Sequence, residues 1–155
     1  MGSGKSAVGA AVAARAGAAF NDLDRMIEER AGMPISGIFA TQGEAAFRDL
    51  ERRLLPEALQ PGTVVALGGG AVIDDASWRL VAAEAVTVYL DVAFDTIWER
   101  IHAWGGRPLI AGRSHDEVES LFEQRRPRYL EAAYRVKGDR AIERVVDEVL
   151  QIWSA

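Results

Sequence analysis

The sequence predicts an α/β fold in three layers, a parallel sheet covered by helices on both faces, and three observations carry that expectation. Short apolar runs, such as residues 63–67, show no polar alternation, the pattern of strands buried on both sides. Segments with apolar residues at three- and four-residue steps take turns with these runs, as helices do when they cross between parallel strands. A glycine-rich opening also leads straight into the first helical segment, which is how backbone N–H groups are presented to an anion.

Taken in order, Val8, Ala11 and Val12 mark an alanine-rich helix that Gly17 should close. A short strand is expected over 18–22. Two brief helical stretches then lead to Gly43, after which Phe47, Leu50, Leu54 and Ala58 share one helical face that Pro56 should bend or end early. Residues 63–67 form the next strand, stopping at Gly68-Gly69-Gly70, and a helix should start near Asp74. A strand over 86–90 leads into a helix with Phe94, Ile97 and Ile101 on one side, ending near Gly105-Gly106. Another helix begins around His115. Ile142, Val145, Val146, Val149, Leu150 and Trp153 close the chain on an amphipathic helix.

At 155 residues, with 49% apolar and 26% charged side chains, the chain suits a single domain over 1–155 with its own core. Eighteen basic residues against twenty-three acidic ones give a net charge of −5, which argues against a nucleic-acid or membrane-surface partner. An anionic ligand must therefore be held by local groups. The absence of cysteine excludes disulfides and thiolate metal sites and suits the cytoplasm. No segment reads as a signal peptide or a bilayer span, and a monomer acting on a small molecule is expected. His102 and His115 lack metal-ligand spacing and should lie at the surface.

Gly2-Ser3-Gly4-Lys5-Ser6 is the last part of the phosphate-binding pattern G-x-x-x-x-G-K-[ST]. Its glycines let successive N–H groups turn toward phosphate oxygens, Lys5 would reach the β- and γ-phosphates, and Ser6 would ligate Mg²⁺. The first glycine of the pattern would fall two positions before Met1, and no strand precedes the loop. The first strand of the sheet is thus expected to be missing from this sequence, with a start placed too far downstream as the explanation. Asp22 and Asp24 follow the second predicted strand, where α/β sheets place ligand contacts. Asp22 could bind Mg²⁺ while Asp24 orients a substrate hydroxyl and accepts its proton; alternatively Asp24 caps the next helix and Asp22 is solvated. Arg48 lies beside an apolar helical face, suited either to a carboxylate ligand or to a salt bridge with Glu44 or Glu51. Gly68, Gly69 and Gly70 would allow close approach to the backbone at a strand end. Arg125 stands in the apolar row Val118, Leu121, Phe122, Arg125, Tyr129, where a guanidinium needs an anion. The stretch 105–114, about 105–117 with its flank, reads as a mobile lid carrying Arg107.

These segments together resemble the shikimate kinase family over nearly the whole chain. The blocks are Met-Gly-Ser-Gly-Lys-Ser, Asp-Leu-Asp-Arg-Met-Ile-Glu-Glu, Gly-Glu-x-x-Phe-Arg-x-x-Glu, Leu-Gly-Gly-Gly-Ala, Arg-Pro-Leu and Arg-x-Pro-x-Tyr. The resemblance implies a three-layer P-loop kinase fold with a substrate-binding region at about 24–60. It implies ATP and Mg²⁺ as cofactors, and transfer of the γ-phosphoryl group to the 3-hydroxyl of shikimate. By the same resemblance Gly2, Ser3, Gly4, Lys5, Ser6 and Ala7 hold the nucleotide phosphates, Ser6 and Asp22 the metal, and Arg100 lies near the adenine. Asp24, Arg48, Gly68 to Gly70 and Arg125 match shikimate-binding positions, and Arg107 the lid. The segment Val136-Lys137-Gly138-Asp139-Arg140 is shorter than its counterpart in the family. The alternatives are a related P-loop kinase acting on another small anionic metabolite, or a non-catalytic relative.

Overall fold

The structure, a computed structural model, describes residues 2–104 and 112–154. In chain order it runs α1 (Lys5–Ala16), β1 (Ala19–Asp22), α2 (Leu23–Ala31), α3 (Ile35–Ala58), β2 (Thr63–Ala66), α4 (Asp75–Glu84), β3 (Val88–Asp91), α5 (Phe94–Trp104), α6 (His115–Tyr129), β4 (Tyr134–Lys137) and α7 (Ile142–Trp153). Local chemistry sets most boundaries. Gly4, at φ 88°, turns the chain into α1, and Gly17 in the left-handed region ends it with its N–H on the Ala13 carbonyl, since a side chain is disfavoured in that region. Asp74 caps α4 by accepting from the Ser77 N–H at 2.8 Å. Ser114 and Glu117 close a reciprocal capping box on α6.

The expected break at Gly43 is present as a φ of 81° and ψ of 172° inside α3. Pro56 neither bends nor ends that helix early: α3 runs on to Ala58. A proline this close to the end removes a single helical hydrogen bond, and the buried side chains Leu54, Leu55 and Ala58 hold the last turn in place.

The strands form two parallel pairs. Ala19 to Asp22 align with Thr63 to Ala66, and Val88 to Asp91 with Tyr134 to Lys137. Each pair is joined through helices, as parallel neighbours require. Among the described residues β2 and β3 share no ladder, and a cavity of about 600 Å³ separates them. Strand β4 itself was not foreseen; only Val136 in it is buried, so it shows no apolar run. The core has three clusters. One joins α2, α3 and α4 through Leu23, Ile27, Ile38, Phe47, Leu54 and Val81; another joins α1, β4 and α7 through Val12, Val136 and Val145. The third is Val92, Ile97 and Ile101, against Phe122. His115 lies at the surface with its side chain 41% exposed, while one edge of its ring meets Phe94 at 5.1 Å and Trp98 at 4.9 Å. No helix among the described residues is long and apolar enough to cross a membrane.

The Tyr89 hydroxyl of β3 is buried and has no hydrogen-bond partner among the described residues. Burial, reinforced by the nearby Asp91 carboxylate, pushes its pKa up from 10.0 to about 12. The unfolded chain therefore loses this proton first, and the contribution is full below pH 10 and lost as pH rises toward 12. Urea midpoints measured across that window should fall less steeply for Tyr89→Phe than for the parent. At neutral pH the variant should be at least as stable, because it no longer buries an unsatisfied hydroxyl.

Candidate active site

The predicted site residues gather at the C-terminal ends of β1 and β2, where parallel sheets expose backbone and loops to ligands. Asp22 is the last residue of β1 and is buried. Its carboxylate accepts from the Ser6 hydroxyl and, through the other oxygen, from the Asp24 N–H at 3.1 Å. Asp22 is therefore the helix cap, which removes the reading in which Asp24 caps α2 and Asp22 is solvated. Released from capping, Asp24 turns its carboxylate to Lys5, whose Nζ lies 3.5 Å away. The same Nζ is 3.4 Å from the Ser6 hydroxyl. Ser3 and Gly4 complete the loop, Ala7 is exposed, and Arg100 donates from Nη1 to the Gly2 carbonyl at 3.3 Å.

Gly68 and Gly70 owe their lack of a side chain to space, since none of the three glycines has a positive φ. A β-carbon on Gly68 would lie 3.0 Å from an Asp24 carboxylate oxygen and 3.4 Å from one of Glu51. One on Gly70 would lie 2.8 Å from the Arg48 Cζ, closer than a real β-carbon tolerates. The turn is tied down by the Tyr129 hydroxyl, which donates to the Gly69 carbonyl at 2.8 Å. The expected approach of a ligand to these glycines is thus matched by a close approach of the protein's own charged side chains.

Arg48 fulfils the salt-bridge reading and still faces the site. Its Nη1 donates to Glu51 at 2.6 Å and its Nη2 to Glu44 at 3.2 Å. Burial opposes the Arg48 charge, but the two carboxylates outweigh it and its pKa is raised. Glu51 is the functional residue that sequence reasoning passed over as a salt-bridge partner. Burial pushes its pKa above the ordinary value, Arg48 opposes that shift, and the Asp24 charge adds to it. The signal was available: Glu51 follows Phe47 by four residues and precedes Leu54 by three, inside the apolar row. Arg125 lines the central cavity with Gly68 and Gly69 and has no carboxylate within 4.0 Å among the described residues. Arg107 lies outside the described residues.

Chemically the site holds one carboxylate beside a cation at the phosphate loop, and two arginines beside a glycine turn. It can grip an anion at each end and place a proton acceptor between them.

Comparison with known proteins agrees. A sequence profile described as shikimate kinase matches residues 1–153. The shikimate kinase of Salinibacter ruber is 40% identical over 166 residues, covering 100% of this chain and 81% of that protein. The crystal structure of shikimate kinase from Bacteroides thetaiotaomicron superposes with a TM-score of 0.88 at 32% identity, covering 100% of this chain and 94% of that one. The enzyme from Acinetobacter baumannii, solved in complex with shikimate, gives a TM-score of 0.93 at 29% identity over 99% and 88% of the two chains. A profile match over nearly the whole chain and 40% identity to a relative covered over most of its length show that the chain belongs to the shikimate kinase family.

Proposed function

We propose that this chain is a shikimate kinase that moves the γ-phosphoryl group of ATP to the 3-hydroxyl of shikimate. The observation that carries this reading is the convergence of Lys5 and Asp24 with the Gly68 to Gly70 turn and Arg48. Arg48 and Arg125 take the substrate carboxylate, a planar anion that guanidinium groups grip through paired N–H donors. Asp24 orients the hydroxyl and accepts its proton as the oxygen bonds to phosphorus; the bond from phosphorus to the bridging oxygen breaks, and its electron pair leaves with ADP. Lys5 stays beside the transferred group and offsets the charge that spreads over it. Ser6 and Asp22 present adjacent oxygen donors, the ligand type that suits Mg²⁺. When bound there, the ion neutralises phosphate charge. Arg107, by its place in the family pattern, closes over the nucleotide from the segment at about 105–117. We take residues 1–155 as one kinase domain, acting as a monomer in the cytoplasm, with its substrate region at about 24–60.

Coupled ADP release should require shikimate and Mg²⁺ and should be negligible with gluconate or nucleoside monophosphates. Turnover on one of those in place of shikimate would assign another acceptor. ATP binding without turnover on any acceptor would mark a non-catalytic relative.

Gly70→Ala tests the placement of Arg48. The new methyl displaces the guanidinium, so KM for shikimate should rise about tenfold, equivalent to about 1.4 kcal/mol. KM for ATP should not change. An equal rise in both constants would indicate general loosening of the fold.

A further inference from the structure

The glycine turn after β2 satisfies two of its three carbonyls locally. The Ala71 N–H donates to the Gly68 carbonyl at 3.0 Å, and the Ile73 N–H to the Gly70 carbonyl at 3.2 Å. The Gly69 carbonyl takes its hydrogen bond from a distant element, through the Tyr129 hydroxyl at 2.8 Å. Three glycines in a row leave the backbone its widest choice of conformations, so such a turn needs a fastening to keep one shape. The peptide between Gly69 and Gly70 is planar and trans. Holding its carbonyl on Tyr129 turns the Gly70 N–H the opposite way and fixes the place of Gly70 against the Arg48 guanidinium.

Tyr129 is itself firmly held. It is the last residue of α6, and its ring packs against Tyr89 of β3 with centroids 5.6 Å apart. Beside it Arg128 pairs with Asp75 and Glu131 and lies over the Trp78 ring at 5.6 Å, which fastens the end of α6 to α4. Arg125 precedes Tyr129 by four residues, on the same helical face, and both line the central cavity with Gly69. Burial raises the Tyr129 pKa, and the charges of Arg125 and Arg48 both oppose that shift, so the hydroxyl lies within the field of both guanidinium groups. It stands between Arg125, carried on its own helix, and Arg48, which packs against the turn that it holds.

We propose that Tyr129 is a positioning residue of the acceptor site: its hydroxyl clamps the glycine turn to α6 and so sets the separation at which Arg48 and Arg125 grip one substrate carboxylate. The grip on a carboxylate rests on the function proposed above; the clamp on the turn does not. Tyr129 needs no contact with the substrate, since it acts through the Gly69 backbone. The paired N–H donors of a guanidinium are directional, so a displacement of about 1 Å in either arginine weakens the grip.

Tyr129→Phe tests the clamp, because it keeps the ring against Tyr89 and removes only the hydroxyl. Tyr89→Phe is the control: it removes an unpartnered hydroxyl from the other ring of the same pair. In the ligand-free protein Tyr129→Phe should speed exchange of the Ala71 amide at least about fivefold and leave the amides of α7 at the parent rate. KM for shikimate should rise about fivefold, the usual effect of losing one neutral hydrogen bond, with kcat and KM for ATP changed by less than about twofold. Gly70→Ala displaces the guanidinium that packs on the same turn, so the double variant should raise KM by less than the product of the two single effects. Tyr89→Phe should match the parent in KM and in Ala71 exchange. The clamp is overturned if Ala71 exchange in Tyr129→Phe stays at the parent rate. The positioning role is overturned if exchange quickens and KM for shikimate stays put, if KM for ATP rises equally, or if Tyr89→Phe has the same effects. Should the parent release no ADP with shikimate, the kinase reading is what fails, and the exchange comparison, which needs no acceptor, still decides the clamp.

Discussion

Asp24→Asn is expected to lower kcat about 10³-fold, within the range that a positioned proton acceptor contributes. Asparagine keeps the shape of the side chain and can still meet Lys5, which lies 3.5 Å from the carboxylate, but it cannot accept the hydroxyl proton. KM for shikimate should move by no more than a few-fold, since Arg48 and Arg125 are untouched. The check is the initial rate of shikimate-dependent ADP release, with Tm measured alongside. Loss of less than tenfold with an unchanged Tm would reduce Asp24 to an electrostatic neighbour of Lys5. The substitution has a second consequence. The Asp24 charge helps to raise the Glu51 pKa, so the Glu51 carboxyl should titrate lower in the variant, which carbon-detected NMR can follow.

Lys5→Met should lower kcat by about 10² to 10³, the usual effect of removing one group that stabilises transition-state charge. Methionine preserves much of the stem and removes the ammonium. Because the charge on the transferred group grows toward the transition state, kcat and kcat/KM for ATP should fall together. A purely structural lysine would instead lower Tm through the lost Asp24 pair and leave kcat near the parent value. The side chains of Lys5 and Asp24 are 20% and 25% exposed, so that pair is partly screened and its own contribution to stability should be small.

The fold was legible where short-range chemistry decides it. Gly17 ends α1, Asp74 caps α4, and the apolar rows of α3 and α7 announce their buried faces. Strand β4 was not, because Tyr134, Arg135 and Lys137 are exposed and the segment is a strand only through its pairing with β3. Its Arg135 meets Asp91 across that ladder, a contact between residues far apart in sequence. Pro56 misled for a similar reason: the buried end of α3 overrides the local preference to stop.

The site divides the same way. Sequence alone determined that a phosphate loop opens a helix, that an aspartate pair ends a strand, and that Arg48 and Arg125 lie in or beside apolar rows. Those are properties of spacing, and spacing is local. Which aspartate faces Lys5, why a side chain on Gly70 would displace the Arg48 guanidinium, and where the sheet divides were decided only by tertiary structure. Each depends on charges and backbones brought within a few ångströms from distant parts of the chain, and such proximity leaves no periodic trace in the sequence.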